Sequence, residues 1–359
     1  MKTKLLLLIL ILNISFASSQ ELKRFNIISS LKTIKEFNLS NIGHSIKYVQ
    51  LETTDNVLIS NISNIKIDKY IYIKSKEGLF VFSLDGKFIR KIGNKGKGPR
   101  EYQSFIDFAI NSQTIWLMDV IQDKIIKYDT NGDYLDYIKF DNPAKKLLSS
   151  EENIYLLNTT IASFWGEEDS GILVYNYNND GKLISVIKNR NSEKPSACSS
   201  SYIFDSKLFF IQTLNDTVFS TKGTNLIPEY LIDLGKYTPN KAVYKKSESN
   251  KFMSCKWIAE TDKSIFIKIL GSEKSYYCLV YDKKKEILYT LKNNSFLNDI
   301  DDGISFWPEF VSDDKCVKTL WFHNLIELEE RGVLSGELKD KYKQMDINSN
   351  PILMIISSQ

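Results

Sequence analysis

The residues of this chain that could do chemistry are few and widely spread. Between Gly93 and Gln103 the sequence reads GNKGKGPREYQ, which sets Lys95, Lys97 and Arg100 beside Gly96 and Gly98. Cations next to glycine amides can face an anion, and Tyr102 adds an aromatic hydroxyl. This is not a phosphate-binding P-loop, because GxxxxGK[ST] is absent. The competing reading is a plain connector whose charges are solvated, the usual fate of such side chains. Asp119, which ends the apolar run TIWLMD, joins the same set of candidate ligand-binding residues. A second stretch, Asn158 to Ser170 (NTTIASFWGEEDS), places Phe164 and Trp165 beside Glu167, Glu168 and Asp169. Aromatic rings on a loop suit recognition of sugars or peptides; rings folded back onto the scaffold are the alternative. Asn298 to Gly303 (NDIDDG), with Glu309 beyond it, has the look of a calcium loop. Ile300 stands where an oxygen ligand is needed and no helix precedes it, so an acidic turn is the reading kept. His44 and His323 are alone, with no HExxH and no Gly-x-Ser-x-Gly elbow. No catalytic constellation is assigned.

What positions these residues is a repeat. Tyr70 to Ile73, Gly78 to Ser83 and Lys87 to Ile92 read as three strands, the last two joined at Asp85-Gly86. Thr114 to Asp119, Lys124 to Tyr128 and Asp133 to Phe140 follow, joined at Asn131-Gly132; Asn153 to Leu157, Gly171 to Tyr177 and Lys182 to Lys188 follow again, joined at Asp180-Gly181. The turn pairs lie 46 and 49 residues apart. Asp-Gly and Asn-Gly between apolar runs signal hairpins, in the first instance with type I′ turns. Several strands repeated at this period mark a propeller. The second strand of each unit is almost wholly apolar (IYI, IWLM, IYLL), as for a strand covered on both faces. Later units are degraded: 206–234, 256–291, and a sixth begun at 304–322. Residues 327–344 read as helical, and Pro351 to Ile356 as a strand. The alternating run Ile46 to Leu51 and this last strand are expected to complete the sixth sheet from opposite ends, removing exposed edges.

The expected fold is therefore all-β: a six-bladed β-propeller of four-stranded blades, closed by N- and C-terminal strands, with a short helical insertion near the C-terminus. Residues 1–20 read as a signal peptide: Lys2 and Lys4, an apolar run from Leu5 to Ile14, then small residues at 17–19. The run is too short for a membrane span, and no cysteine near the cleavage region offers a lipid anchor. Residues 21–45 show no period and form a lead-in; 46–359 form one propeller domain. A net charge of +3 on 359 residues implies no polyanion partner, so nucleic acid is not expected. Cys198, Cys255, Cys278 and Cys316 allow two disulfides in three pairings. A core this large needs no staples, which favours buried free thiols. No Cys/His cluster suggests zinc.

Gly93 to Leu135 resembles an NHL-type repeat: a glycine-rich loop, an apolar strand ending in Asp119, and a strand closing on Asn131-Gly132. The chain is similar, over nearly all of its expected mature length, to the exported six-bladed β-propeller family of Gram-negative bacteria (NHL- and TolB-like). The matching segments are Gly96 to Tyr102, Asn215 to Phe219 and Asn350 to Leu353. The resemblance implies the fold and carries no catalytic residues over. Similar propellers bind ligands, contact proteins and, in some branches, hydrolyse with calcium. The expectation is a periplasmic or secreted monomer that binds a small molecule, glycan or protein through its channel-face loops, without a cofactor. The alternative is a calcium-dependent hydrolase or lyase with acidic residues at the channel.

Overall fold

The three Gly-terminated hairpins form, though not with the turn expected. In a computed structural model describing residues 22–140, 144–161, 169–191, 193–240, 251–272 and 275–357, the glycine alone has positive φ within each of these three turns: Gly86 (+85°), Gly132 (+91°) and Gly181 (+82°). Each glycine N–H closes onto the carbonyl three residues back (Ser83, Asp129, Asn178), and the strands shift register just before the turn. This is a type I turn followed by a left-handed glycine and a bulge, not type I′. The reason is local. The side chains of Ser83, Asp129 and Asn178 accept amide hydrogen bonds from within the turn, which holds the residues before each glycine in the right-handed region.

Six four-stranded antiparallel sheets follow. Blade 1 runs Asn64–Ile67, Ile71–Ser75, Gly78–Phe82 and Phe88–Ile92; blade 2 runs Phe105–Ile110, Thr114–Asp119, Lys124–Asp129 and Tyr134–Lys139. Blade 3 runs Ala144–Ser149, Asn153–Asn158, Ile172–Asn178 and Leu183–Lys188; blade 4 runs Cys198–Phe204, Lys207–Gln212, Thr217–Lys222 and Asn225–Asp233. Blade 5 runs Ser254–Glu260, Ser264–Leu270, Tyr276–Asp282 and Ile287–Leu291. Blade 6 is made from both ends of the chain: Phe310–Ser312, Lys315–Leu320 and Ile352–Ser357, with Ser45–Gln50 outermost. Second strands are buried along nearly their whole length, as their apolar composition requires. Apolar clusters fill the space between each pair of neighbouring blades, so each sheet buries both faces against its neighbours.

Asn350 locks the seam. Its side-chain oxygen accepts Ile59 N–H at 2.8 Å, and its amide nitrogen donates to the carbonyls of Glu52 (2.7 Å) and Val57 (2.6 Å). Its own N–H donates to Thr53 Oγ1 at 2.8 Å. The last strand is thereby fixed to the loop that follows the outermost one. The lead-in is part of the ring as well. Lys23–Asn26 adds in parallel to the outer strand of blade 4, and Ile34–Lys35 to that of blade 5. Phe25 and Ile27 are buried there. The insertion in blade 6 forms helices Phe322–Glu330 and Gly336–Tyr342, which bury Leu325 and Leu338 over blades 5 and 6. All four cysteines are free and buried. Burial pushes their thiols up, Cys255 and Cys278 to about 12.

Candidate functional site

The first strands of the blades surround a central channel, and their alternation decides what lines it. In blade 1, Ile65 and Ile67 turn into the packed layers, while Asn64 and Lys66 stay partly open. A cavity of about 330 Å³ is lined by Asn64, Lys66, Lys146, Ser201, Trp257 and Glu309, among others. Buried Asp107 ties three blades together at this wall. It accepts Asn64 Nδ2 (3.2 Å) from blade 1 and Leu147 N–H (2.9 Å) from blade 3, and pairs with Lys146 Nζ at 3.2 Å. The carboxylates nearby are mostly engaged. Glu260 accepts the hydroxyls of Tyr202 and Tyr230 and pairs with Lys283 at 2.6 Å, while Glu309 accepts Thr319 N–H at 3.1 Å. Lys66 is different. Its side chain makes no ion pair or hydrogen bond with the described residues. Its ammonium is held below the usual lysine range by burial; among the nearby charges Asp313 pulls the other way most strongly, Lys146 adds to the lowering and Asp107 opposes it.

One mouth of the channel is formed by the turns between first and second strands. Asp68, Glu151, Asp205, Asp262, Asp313 and Asp314 line a cavity of about 420 Å³ there, which meets the inner one at Lys66. A calcium centre needs oxygen ligands at about 2.3–2.6 Å from one ion. No three His, Cys, Asp or Glu side chains gather closely enough to hold a metal ion among the described residues. The acidic stretch at 298–303 is a self-bonded turn: Asp301 accepts Asn298 Nδ2, Gly303 N–H and Tyr48 O–H.

The opposite face carries the loop on which most sequence-based candidates fall. Asn94–Lys95 pairs with Glu101–Tyr102, folding the loop on itself. The anion that its glycines face is internal: Gly98 N–H donates to Glu101 Oε2 at 2.9 Å. Asp119 is fully buried and holds the loop, accepting the N–H groups of Gln103 (2.6 Å), Ser104 and Ile121 and the Gln122 amide. Burial alone would raise its carboxyl; these donors outweigh that and hold it below the usual range. Arg100 lies over the Tyr134 ring at 5.2 Å, and Lys97 is exposed. Lys95 and Tyr102 do come together. With Lys74, Lys76, Glu77, Ser60 and Ser104 they line a groove of about 570 Å³ between blades 1 and 2. Glu77 is occupied by the Ser60 and Ser75 hydroxyls, and the buried Tyr102 hydroxyl has no partner. Phe164 and Trp165 lie outside the described residues.

Sequence reasoning missed Lys66, Lys74, Lys146, Asp107 and Trp257. The one available signal was a charge at alternate positions of a short apolar strand, as in Asn-Ile-Lys-Ile. No curated protein matches the sequence. The fold is similar to that of a Bacteroides fragilis protein described as a candidate exported protein. That pair shares 19% identity over 94% of this chain and 99% of the other, with a TM-score of 0.72. A Bacteroides vulgatus member of the DUF4221 family is 10% identical over 88% of this chain and 98% of its own, with a TM-score of 0.50. The model of a domain of unknown function, DUF4934, matches residues 22–357, which is the whole ring from the lead-in strand Lys23–Asn26 to the seam strand Ile352–Ser357; the chain belongs to that family.

Proposed function

We propose that the protein is an exported, non-enzymatic binding propeller that takes a small anionic ligand, or the anionic part of a glycan or protein, in the groove between blades 1 and 2. The observation that carries this reading is the charge balance of the groove. Lys74, Lys76 and Lys95 line it against one carboxylate, Glu77, which two serine hydroxyls already occupy. Lys74 donates to Ser63 Oγ at 2.9 Å, and Lys76 and Lys95 make no ion pair with the described residues. Ammoniums on a concave, partly apolar wall, with Tyr102 and Phe105 beneath them, suit an oxyanion attached to a small organic body. Export to the periplasm or the medium is supported by the N-terminal leader pattern. The likeness of Gly93 to Leu135 to NHL-type repeats, and the fold shared with a candidate exported protein, agree with it.

The test is a thermal-shift and calorimetric titration with glucuronate, citrate and inorganic phosphate, each against a neutral sugar control. Wild type is expected to bind at least one anion and not the neutral sugar. The Lys76→Ala/Lys95→Ala double variant should lose about tenfold or more in affinity, the equivalent of about 1.4 kcal/mol. Binding that is unchanged in the double variant, or turnover of any probe, overturns the reading.

A further inference from the structure

Beyond the groove, the geometry points to a second site: we infer that Lys66 is a reactive amine that captures a small aldehyde or ketone reversibly, as an imine, inside the central channel. Lys66 lies where the inner cavity and the acidic mouth meet and lines both, so a small molecule entering the mouth reaches its Nζ. The other lysine that lines the channel cavities is engaged: Lys146 pairs with Asp107 at 3.2 Å. The Lys66 side chain is bound to none of the described residues. A structural lysine is retained by a partner; one left without a partner in a partly apolar cavity, beside another ammonium, has the two features that activate a lysine nucleophile. Desolvation is the main influence favouring the neutral amine and the Lys146 charge adds to it; Asp313, which acts more strongly than Lys146, and Asp107 oppose it without offsetting the burial.

The step balances without any further reactant. The Nζ lone pair adds to the carbonyl carbon and the C=O π bond opens to a carbinolamine. The two amine protons end on the carbonyl oxygen, which leaves as water, and the C=N bond remains. Hydrolysis returns the free amine and the carbonyl compound. The walls favour a compact ligand: Trp257, Ile203, Leu148 and Val311 supply apolar area, while Asn64 and Ser201 supply hydrogen bonds. The open-chain form of a short reducing sugar belongs to this class.

The experiment is reductive trapping of the full chain at pH 7 with glycolaldehyde and cyanoborohydride, followed by peptide mapping. Lys66 is expected to be labelled several-fold faster than exposed Lys97, since an ammonium held below its usual range leaves more of the amine neutral. A Lys66→Arg chain keeps the charge; it should melt within a few degrees of wild type and lose the channel adduct. Labelling of Lys66 no faster than Lys97, or an undiminished channel adduct in Lys66→Arg, overturns the inference. The groove double variant should label Lys66 at the wild-type rate, so failure of the groove reading and failure of this one are told apart.

Discussion

Blades 1 to 3 and blades 4 to 6 are built from the same sheet but are held by different means. In the first half, each hairpin glycine sits against the outer strand of the preceding blade. A Cβ on Gly86 would meet Gln50 O at 2.1 Å, one on Gly132 would meet Ile92 at 2.9 Å, and one on Gly181 would meet Ile138 at 2.8 Å. In the second half that device fades. The corresponding turn of blade 4 has Gly223 with nothing within 4 Å. The stabilisation moves elsewhere: to the strap along the edges of blades 4 and 5, the helices over blade 6, and the Asn350 clasp. A repeat can therefore lose its own turn chemistry when distant chain segments take over the task of covering an edge.

Three changes break this comparison at successively smaller cost. The largest effect is expected at the seam. Asn350→Ala strands one buried N–H and two carbonyls at about 1–3 kcal/mol each, so a loss of about 4 kcal/mol should appear in urea unfolding. An unchanged midpoint would show that the clasp holds nothing. Next is the strap. Phe25, 1% exposed and packed on Tyr230 and Tyr281, should cost about 3 kcal/mol as Phe25→Ala. That substitution is expected to leave binding in the groove of blades 1 and 2 intact; a loss of binding would mean that the two halves are coupled. The smallest and sharpest change compares glycines. Gly223→Ala carries only left-handed backbone strain, about 1–2 kcal/mol. Gly86→Ala adds the collision with Gln50 O and should cost at least 1 kcal/mol more in paired melting curves. Equal costs would remove the distinction between the halves.

How much of this was legible follows from the same contrast. Asp85-Gly86, Asn131-Gly132 and Asp180-Gly181, with the apolar second strands beside them, carry blade number and order, because hairpins are local and their signals lie within a few residues. The first strands were less visible. Phe105–Ile110 and Ala144–Ser149 mix channel-facing polar residues with buried ones over six positions, so neither strict alternation nor a continuous apolar run survives. The strap was invisible because Lys23–Asn26 finds its partner strand at Tyr230–Asp233, about two hundred residues away. The candidate site suffered from both. The loop at 93–103 was found by composition, and composition could not show that Glu101 and Asp119 fill its amides from within. Lys66 and Lys146 stand eighty residues apart in sequence, and only closure of the ring sets them on one wall.

The seam also sets a timetable. Among the described residues Ser45–Gln50 pairs with Ile352–Ser357 and with no other strand, so the earlier segment waits, unpaired, for a partner about three hundred residues further along the chain. Until it arrives the sheet edge stays open and the annulus cannot shut. Closure of the ring is thus a late event in folding, because the two strands of the seam lie about three hundred residues apart in the chain.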